Sequence, residues 1–283
     1  ACQDPSLRLR SPIENPMRPH VLGRTAALVL ALSGCAVSTR QEVEMGASYA
    51  QQIERELPVI SDPELTRYIN VLGDSIARIA DARNLDWRFS IVDSPEVNAF
   101  AVPGGFIYIN RGLIERAETM SQVAGVLGHE IGHVTMRHSI QQMQKAQGAN
   151  IGITAVCVLT SICNSEASQA AINIGANAAF ASFSRADEDQ ADEVAIPYLV
   201  QAGIDPNGIP EMFRILLDER TRKPGALDAW FRSHPLEEDR IQASQARIVA
   251  LPAASLRGLT RDTPNFQAFK RRLAALPPSP PPR

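Results

Sequence analysis

The chain of 283 residues predicts an α+β fold, mostly helical with a small sheet. Three observations predict it. Apolar residues recur at helical spacing over long stretches, and two short segments carry the aromatic and β-branched residues of strands. The third is the run 123–134, which reads as a helix carrying His129-Glu130-Ile131-Gly132-His133.

Residues 1–16 contain Pro5, Pro12 and Pro16 without an apolar period, and are expected to be an unstructured upstream extension before a true start at Met17. Residues 17–34 then read as a secretory signal. Arg18, His20 and Arg24 form a basic region, and Ala26-Ala27-Leu28-Val29-Leu30-Ala31-Leu32 is an apolar core too short to span a bilayer. The ending Leu32-Ser33-Gly34-Cys35 resembles a bacterial lipobox. That implies cleavage before Cys35, lipid attachment at this residue, and a periplasmic protein anchored to the outer or inner membrane. Residues 35–255 suffice for one domain with a single core. The formal net charge of −3 offers no basic surface, so nucleic acid is not expected as a partner.

Within the domain, residues 42–57 form an amphipathic helix. Ser61-Asp62-Pro63-Glu64 starts the next one, with a side-chain acceptor for the first free N–H groups and a proline where no N–H is needed. Leu65, Tyr68, Ile69, Leu72, Ile76 and Ile79 follow along one face. Residues 87–92 are a strand. Phe106-Ile107-Tyr108-Ile109-Asn110, after the turn Pro103-Gly104-Gly105, is a second, and a short helical link over 113–117 leads to the histidine-bearing helix. There Gly125, Gly128 and Gly132 share a face, each costing about 1 kcal/mol relative to Ala, which predicts a very close neighbour. Further helices begin near Glu166, Glu188, Pro210 and Leu236. Residues 256–283 are a C-terminal helix and a Pro-rich tail, extended and disordered from Leu276.

Two histidines four residues apart on a helix point the same way, so both imidazoles can grip one zinc ion while Glu130 flanks them. A catalytic zinc site takes a third protein ligand and keeps one position open. The acidic run Arg185-Ala186-Asp187-Glu188-Asp189-Gln190-Ala191-Asp192-Glu193 offers two pairs one turn apart, Glu188 with Asp192 and Asp189 with Glu193. Spacing does not choose between them. His138 lies five residues after His133, about 140° around a continuing helix, and is expected to be structural.

The order H-E-x-x-H, then R-x-x-E-x-x-A-D over residues 185–192, resembles the M48 family of zinc metallopeptidases. Asn98-Ala99-Phe100-Ala101-Val102-Pro103-Gly104-Gly105, the extension Val134-Thr135-Met136-Arg137-His138-Ser139, and Ser233-His234-Pro235 with Arg240-Ile241 are similar to further blocks of that family. The resemblance covers roughly residues 40–255 and implies a zincin-like fold with a small sheet beside the H-E-x-x-H helix. It implies one Zn2+ on His129, His133 and Glu188, with Asp192, Arg185 and Arg240 behind the ligands. Such a zinc polarises a peptide carbonyl and acidifies its water to about pKa 7, with Glu130 as general base. His234, backed by Arg240, is expected to stabilise the oxyanion. Gly105, Phe106, Ile107 and Tyr108 are expected to form an exposed strand edge that pairs with an extended peptide. The activity implied is an endopeptidase for misfolded or stalled envelope proteins. The alternative is a chaperone-like factor of the outer-membrane assembly machinery with a latent zinc site.

The stretch 148–181 is apolar, but Asn164, Ser165, Glu166 and Gln169 interrupt it, and neither half reaches the roughly 20 residues of a membrane span. It is expected to pack or move over the metal site. Within it Cys157 and Cys163 could close a small disulfide loop if the helix is broken between them, or remain free buried thiols.

Overall fold

The computed structural model describes residues 37–145, 183–222, 230, 234 and 238–279. It opens with α1 (Thr39–Glu56) and α2 (Pro63–Ala80). The Asp62 carboxylate accepts from the N–H groups of Glu64 and Leu65 at 3.0 and 3.1 Å, satisfying donors that have no partner inside the helix. Leu65, Ile69, Leu72 and Ile76 are buried, whereas Ile79 is 37% exposed, so the packed stripe of α2 ends one turn early.

Three strands follow, β1 (Arg88–Val92), β2 (Ala99–Val102) and β3 (Phe106–Asn110), in the order β1-β3-β2. β1 runs parallel to β3, with Arg88 opposite Phe106, and β2 antiparallel to it, with Ala101 opposite Ile107. The β2–β3 turn uses Gly104 at φ 86° and Gly105 at φ 98°, left-handed conformations that cost glycine little. Period-2 alternation splits β3 between two cores. Phe106 and Tyr108 pack with Ala50 and Ile53 of α1, while Ile107 and Ile109 join the main core.

This topology corrects the expectation for Gly105, Phe106, Ile107 and Tyr108. β3 is the middle strand, hydrogen-bonded on both edges and buried along its whole length, so it has no edge to offer a peptide. Its neighbour β2 pairs, among the described residues, with β3 alone. β2 was not anticipated as a strand, being four residues long with two alanines.

After α3 (Arg111–Arg116) comes α4 (Met120–Thr135), which holds the H-E-x-x-H string. A capping box between Thr119 and Gln122 starts it, and every residue from Met120 to Val134 is buried. It packs on α2, β2, α5 (Arg185–Gln201) and α6 (Gly208–Arg222). A Cβ on Gly132 would lie 3.0 Å from the Ala191 carbonyl oxygen, and one on Gly125 would lie 2.9 Å from the Ile209 nitrogen. Gly128 is less tight, its nearest neighbour being the Ala195 Cβ at 3.5 Å. The tightest of these approaches to α4 is on the partner helix, where a Cβ on Gly208 would meet the Ser121 carbonyl oxygen at 2.0 Å. α5 begins at Arg185, a turn before Glu188, and contains Pro197, which leaves the Glu193 carbonyl without its helical donor.

α7 (Glu238–Ala250) and α8 (Pro264–Ala274) are the last of the described helices, none of which is long and apolar enough to cross a membrane. The observed class is the expected one, mostly helical with a small sheet beside the H-E-x-x-H helix. The start of the tail departs from expectation. Residues 276–279 are held in place, because the buried Arg111 guanidinium donates to the carbonyls of Leu276 and Pro277, and the Ser279 hydroxyl donates to Asp93. Residues 1–16, the signal 17–34, Cys35, the stretch 148–181 with Cys157 and Cys163, the helix near Glu166 and the tail beyond 279 lie outside the described residues.

The glycine contacts predict a ranked pair of effects. Gly208→Ala forces two backbones apart and is expected to cost about 1–3 kcal/mol. Gly128→Ala meets ordinary van der Waals space and is expected to be neutral or to gain up to about 1 kcal/mol from helix propensity. Urea denaturation of both variants checks the ranking, and equal midpoints would contradict it.

Candidate metal centre

Two helices bring the site together. His129 and His133 lie one turn apart on α4. The start of α5 is set by a reciprocal cap in which the Ser184 hydroxyl accepts from the Asp187 N–H at 3.2 Å and the Asp187 carboxylate accepts from the Ser184 N–H at 3.0 Å. That register turns Glu188 and Asp192 together toward α4, where both are at most 1% exposed. Asp189 and Glu193, the other pair one turn apart, face Arg247 instead, at 2.8 and 3.8 Å.

One ligating atom each from His129, His133, Glu188 and His234 lie within 4.8 Å of one another, and all four residues are buried. The Nε2 atoms of His129 and His133 are 3.0 Å apart. Glu188 sets Oε2 at 3.5 Å from His129 Nε2 and Oε1 at 3.2 Å from His133 Nε2. His234 Nδ1 is 3.0 Å from Glu188 Oε1 and 3.4 Å from His129 Nε2. Four donors at about 2.0–2.1 Å from one zinc ion in a tetrahedron lie about 3.3 Å from each other. The separations cluster around that edge length, and the donor set of imidazoles with a carboxylate suits zinc. These residues fit the ion.

The supporting shell is ionic. His129 Nδ1 lies 2.8 Å from Asp192 Oδ1, which leaves Nε2 for the converging cluster. Arg240, also buried, donates through Nε and Nη2 to both Asp192 oxygens at 2.8 Å and through Nη1 to Glu188, with its guanidinium over the Phe213 ring. Burial opposes a charge on His129, but the carboxylates of Asp192 and Glu188 outweigh it and push its pKa up to about 10. Burial and the neighbouring His129 hold His133 well below the ordinary imidazole value. Burial opposes ionisation of Glu188 too, yet the surrounding imidazoles hold it well below the usual carboxylate range, and Arg240 and His129 do the same for Asp192.

Glu130 differs. Burial raises its pKa, against the opposing pull of the His234 and His129 imidazoles and of a backbone hydrogen bond from Ala101. The nearest cation-forming group is His234, whose Nε2 is 3.5 Å away.

Several expectations change in this geometry. His234 stands among the converging donors rather than apart from them as an oxyanion donor. Arg240 stands behind Glu188 and Asp192, not behind His234. Arg185 is exposed on the first turn of α5, outside the buried set. His138 is not among the converging donors, but the angle argued from a continuing helix does not apply to it. α4 ends at Thr135, Arg137 takes a left-handed φ of 59°, and His138 folds back to place Nδ1 2.9 Å from His133 Nδ1. Two further neighbours went unanticipated. Phe183 stacks on the His133 ring at 3.9 Å between centroids, and Trp230 lies against His234 at 4.7 Å. A lone aromatic carries no spacing signal that would have marked either.

A sequence profile described as Peptidase family M48 matches residues 63–248. The beta-barrel assembly-enhancing protease of Escherichia coli O157:H7 is 34% identical over 225 residues, covering 76% of this chain and 45% of that protein. Metalloprotease LoiP of Escherichia coli (strain K12) is 31% identical over 188 residues, covering 66% of this chain and 70% of the relative. The mitochondrial metalloendopeptidase OMA1 of Schizosaccharomyces pombe is 25% identical over 210 residues, covering 72% and 60%. The chain spans about half the length of the beta-barrel assembly-enhancing proteases it matches.

The paired charges predict how the metal-free protein responds to pH. The raised pKa of His129 adds stability that is complete below about pH 6.5, the unfolded imidazole value, and is lost as pH rises through about 10. The depressed Asp192 and Glu188 add stability present above about pH 4 and lost on acidification, and the depressed His133 is lost as pH falls below about 6.5. Thermal melts in chelator are expected to peak near neutrality, with an alkaline decline that Asp192→Asn flattens. A melting temperature unchanged between about pH 7 and pH 10 would contradict the His129 assignment.

Proposed function

The chain belongs to peptidase family M48, and on that premise we propose that it is a zinc endopeptidase acting on proteins of the bacterial envelope. The observation that carries this reading is the convergence of His129, His133 and Glu188 beside the fully buried carboxylate of Glu130. A metal bound there supplies Lewis acidity toward a peptide carbonyl and toward water. The protein's residues do the rest. His129, His133 and Glu188 hold the ion, and Asp192 with Arg240 fixes the orientation of His129 and Glu188. Glu130 takes a proton from the attacking water and delivers it to the departing amine. Burial raises its pKa above the ordinary carboxylate value, the direction that helps a carboxylate serve as both base and acid. The substrate strand lies along the outer edge of β2, which packs on α4, rather than along β3.

The position of His234 favours a second reading of the same site. Its Nδ1 occupies the fourth corner of the donor cluster, where an active centre keeps room for water. The described arrangement is then a resting one, and substrate or a partner draws His234 away. This reading joins the protease to an assembly role, in line with relatives named as beta-barrel assembly-enhancing proteases. The natural setting that follows is periplasmic quality control beside the outer-membrane assembly machinery. In it residues 17–34 are a signal, Cys35 is the lipidated anchor to the outer or inner membrane, and residues 35–255 form the peptidase domain.

Casein cleavage by purified protein of known metal content tests both readings. Glu130→Gln is expected to keep its zinc and lose about 10²–10⁴ of the rate, and activity equal to the parent would remove the base assignment. His234→Ala is expected to keep zinc and cleave faster. A slower variant that has lost its metal would make His234 an ordinary ligand and end the resting-state reading.

A further inference from the structure

We infer that His138 is a positioning residue for His133, acting through a hydrogen-bond relay from Gln190 that aims the His133 Nε2 lone pair at the metal site. The inference rests on the metal reading above. His138 Nε2 lies 2.9 Å from Gln190 Oε1, and His138 Nδ1 lies 2.9 Å from His133 Nδ1. An amide oxygen only accepts, so His138 Nε2 donates to it. In a neutral imidazole the other nitrogen is then an acceptor. His133 Nδ1–H therefore donates to His138, and His133 Nε2 keeps a free lone pair facing Glu188 Oε1, 3.2 Å away. The reverse direction would leave a proton on His133 Nε2 and spoil it as a ligand. Direction matters here more than strength.

The surroundings hold the relay in place. His133 and His138 are each 1% exposed, so water does not compete for their bond. Asp187, the acid nearest to His138 Nε2, is 3.9 Å away and engaged with the start of α5. The turn that brings His138 back passes through Arg137 at φ 59°, whose Nε donates to Glu42 Oε2 at 2.8 Å. Glu42, 1% exposed on α1, also takes both hydrogen bonds of Arg83 Nη1, and Arg83 Nη2 donates to the Val134 carbonyl at 2.9 Å. The two imidazoles of the H-E-x-x-H string thus have different backing. Asp192, a carboxylate, stands behind His129, and the imidazole of His138 stands behind His133. Gln190 sits on α5 two residues after Glu188, so the relay ties the exit of α4 to the helix that supplies the third donor.

The test uses the full chain and reads metal, not turnover. Zinc affinity is measured by competition with a chromophoric chelator, and ligand geometry by the visible spectrum of the cobalt-substituted protein. His138→Leu is expected to weaken zinc binding about 10–100-fold, the usual cost of losing such a partner, and to shift the cobalt bands. His138→Gln, whose amide oxygen can accept from His133 Nδ1, is expected to recover most of the loss, and Gln190→Leu to weaken binding to a smaller extent. If parent protein binds one zinc and both leucine variants bind as tightly with unchanged cobalt bands, the positioning role is wrong while the metal site stands. If the parent binds no zinc, the metal site falls and the relay with it. Should His138→Leu fail to fold by thermal melting, Gln190→Leu decides the matter alone.

Discussion

The structure turns on charge buried where water cannot reach it. Glu188 and Asp192 point the same way from one helix at almost zero exposure, and two carboxylates so placed are tolerable only with compensation. Arg240 answers one of them by bonding both. One negative charge remains, and Glu130 adds a second when ionised. A divalent cation among the imidazoles balances the group. Without it, His129 takes up a proton against its own burial. The electrostatics of the fold and the chemistry of the site are therefore a single constraint, and removing any one charge leaves the others costly.

Backbone proximity delivers those side chains. α4 approaches α5 and α6 closely enough that a methyl group at Gly125, Gly132 or Gly208 would meet main-chain atoms. Such crossing brings Glu188 within reach of His129 and His133, since a carboxylate on a helix held further off would not span the gap. The sheet contributes differently. By burying both faces and both edges of β3, it gives α4 a rigid floor and leaves β2 as the strand alongside it.

What the sequence made legible follows from the range of each interaction. The cap at Asp62, the apolar stripe of α2 and the helical H-E-x-x-H string are local, and the fold class built from them agrees with the structure. The choice of Glu188 over Asp189 was not local, because both stand one turn from a second acid; family likeness, not spacing, pointed to it. Strand order was equally out of reach. β3 has the composition of an edge or a centre alike, and its neighbour β2 is too short and alanine-rich to declare itself. His138 stands outside the converging donors, as expected, but for a reason other than the angle on an unbroken helix: a non-glycine residue, Arg137, takes the left-handed turn with Glu42, distant in sequence, to hold it. The tail's proline pattern gave no sign of the anchoring of its first residues by Arg111.

The two ends of α4 are both closed. A capping box shuts the first turn, and Arg83 with the Glu42–Arg137 pair shuts the last, leaving no frayed end from which the helix can open. Its amides are therefore expected to be among the slowest in the domain to exchange with heavy water. The H-E-x-x-H string then sits in one of the last segments to open on heating, and an early loss of activity would point first to the other parts of the site.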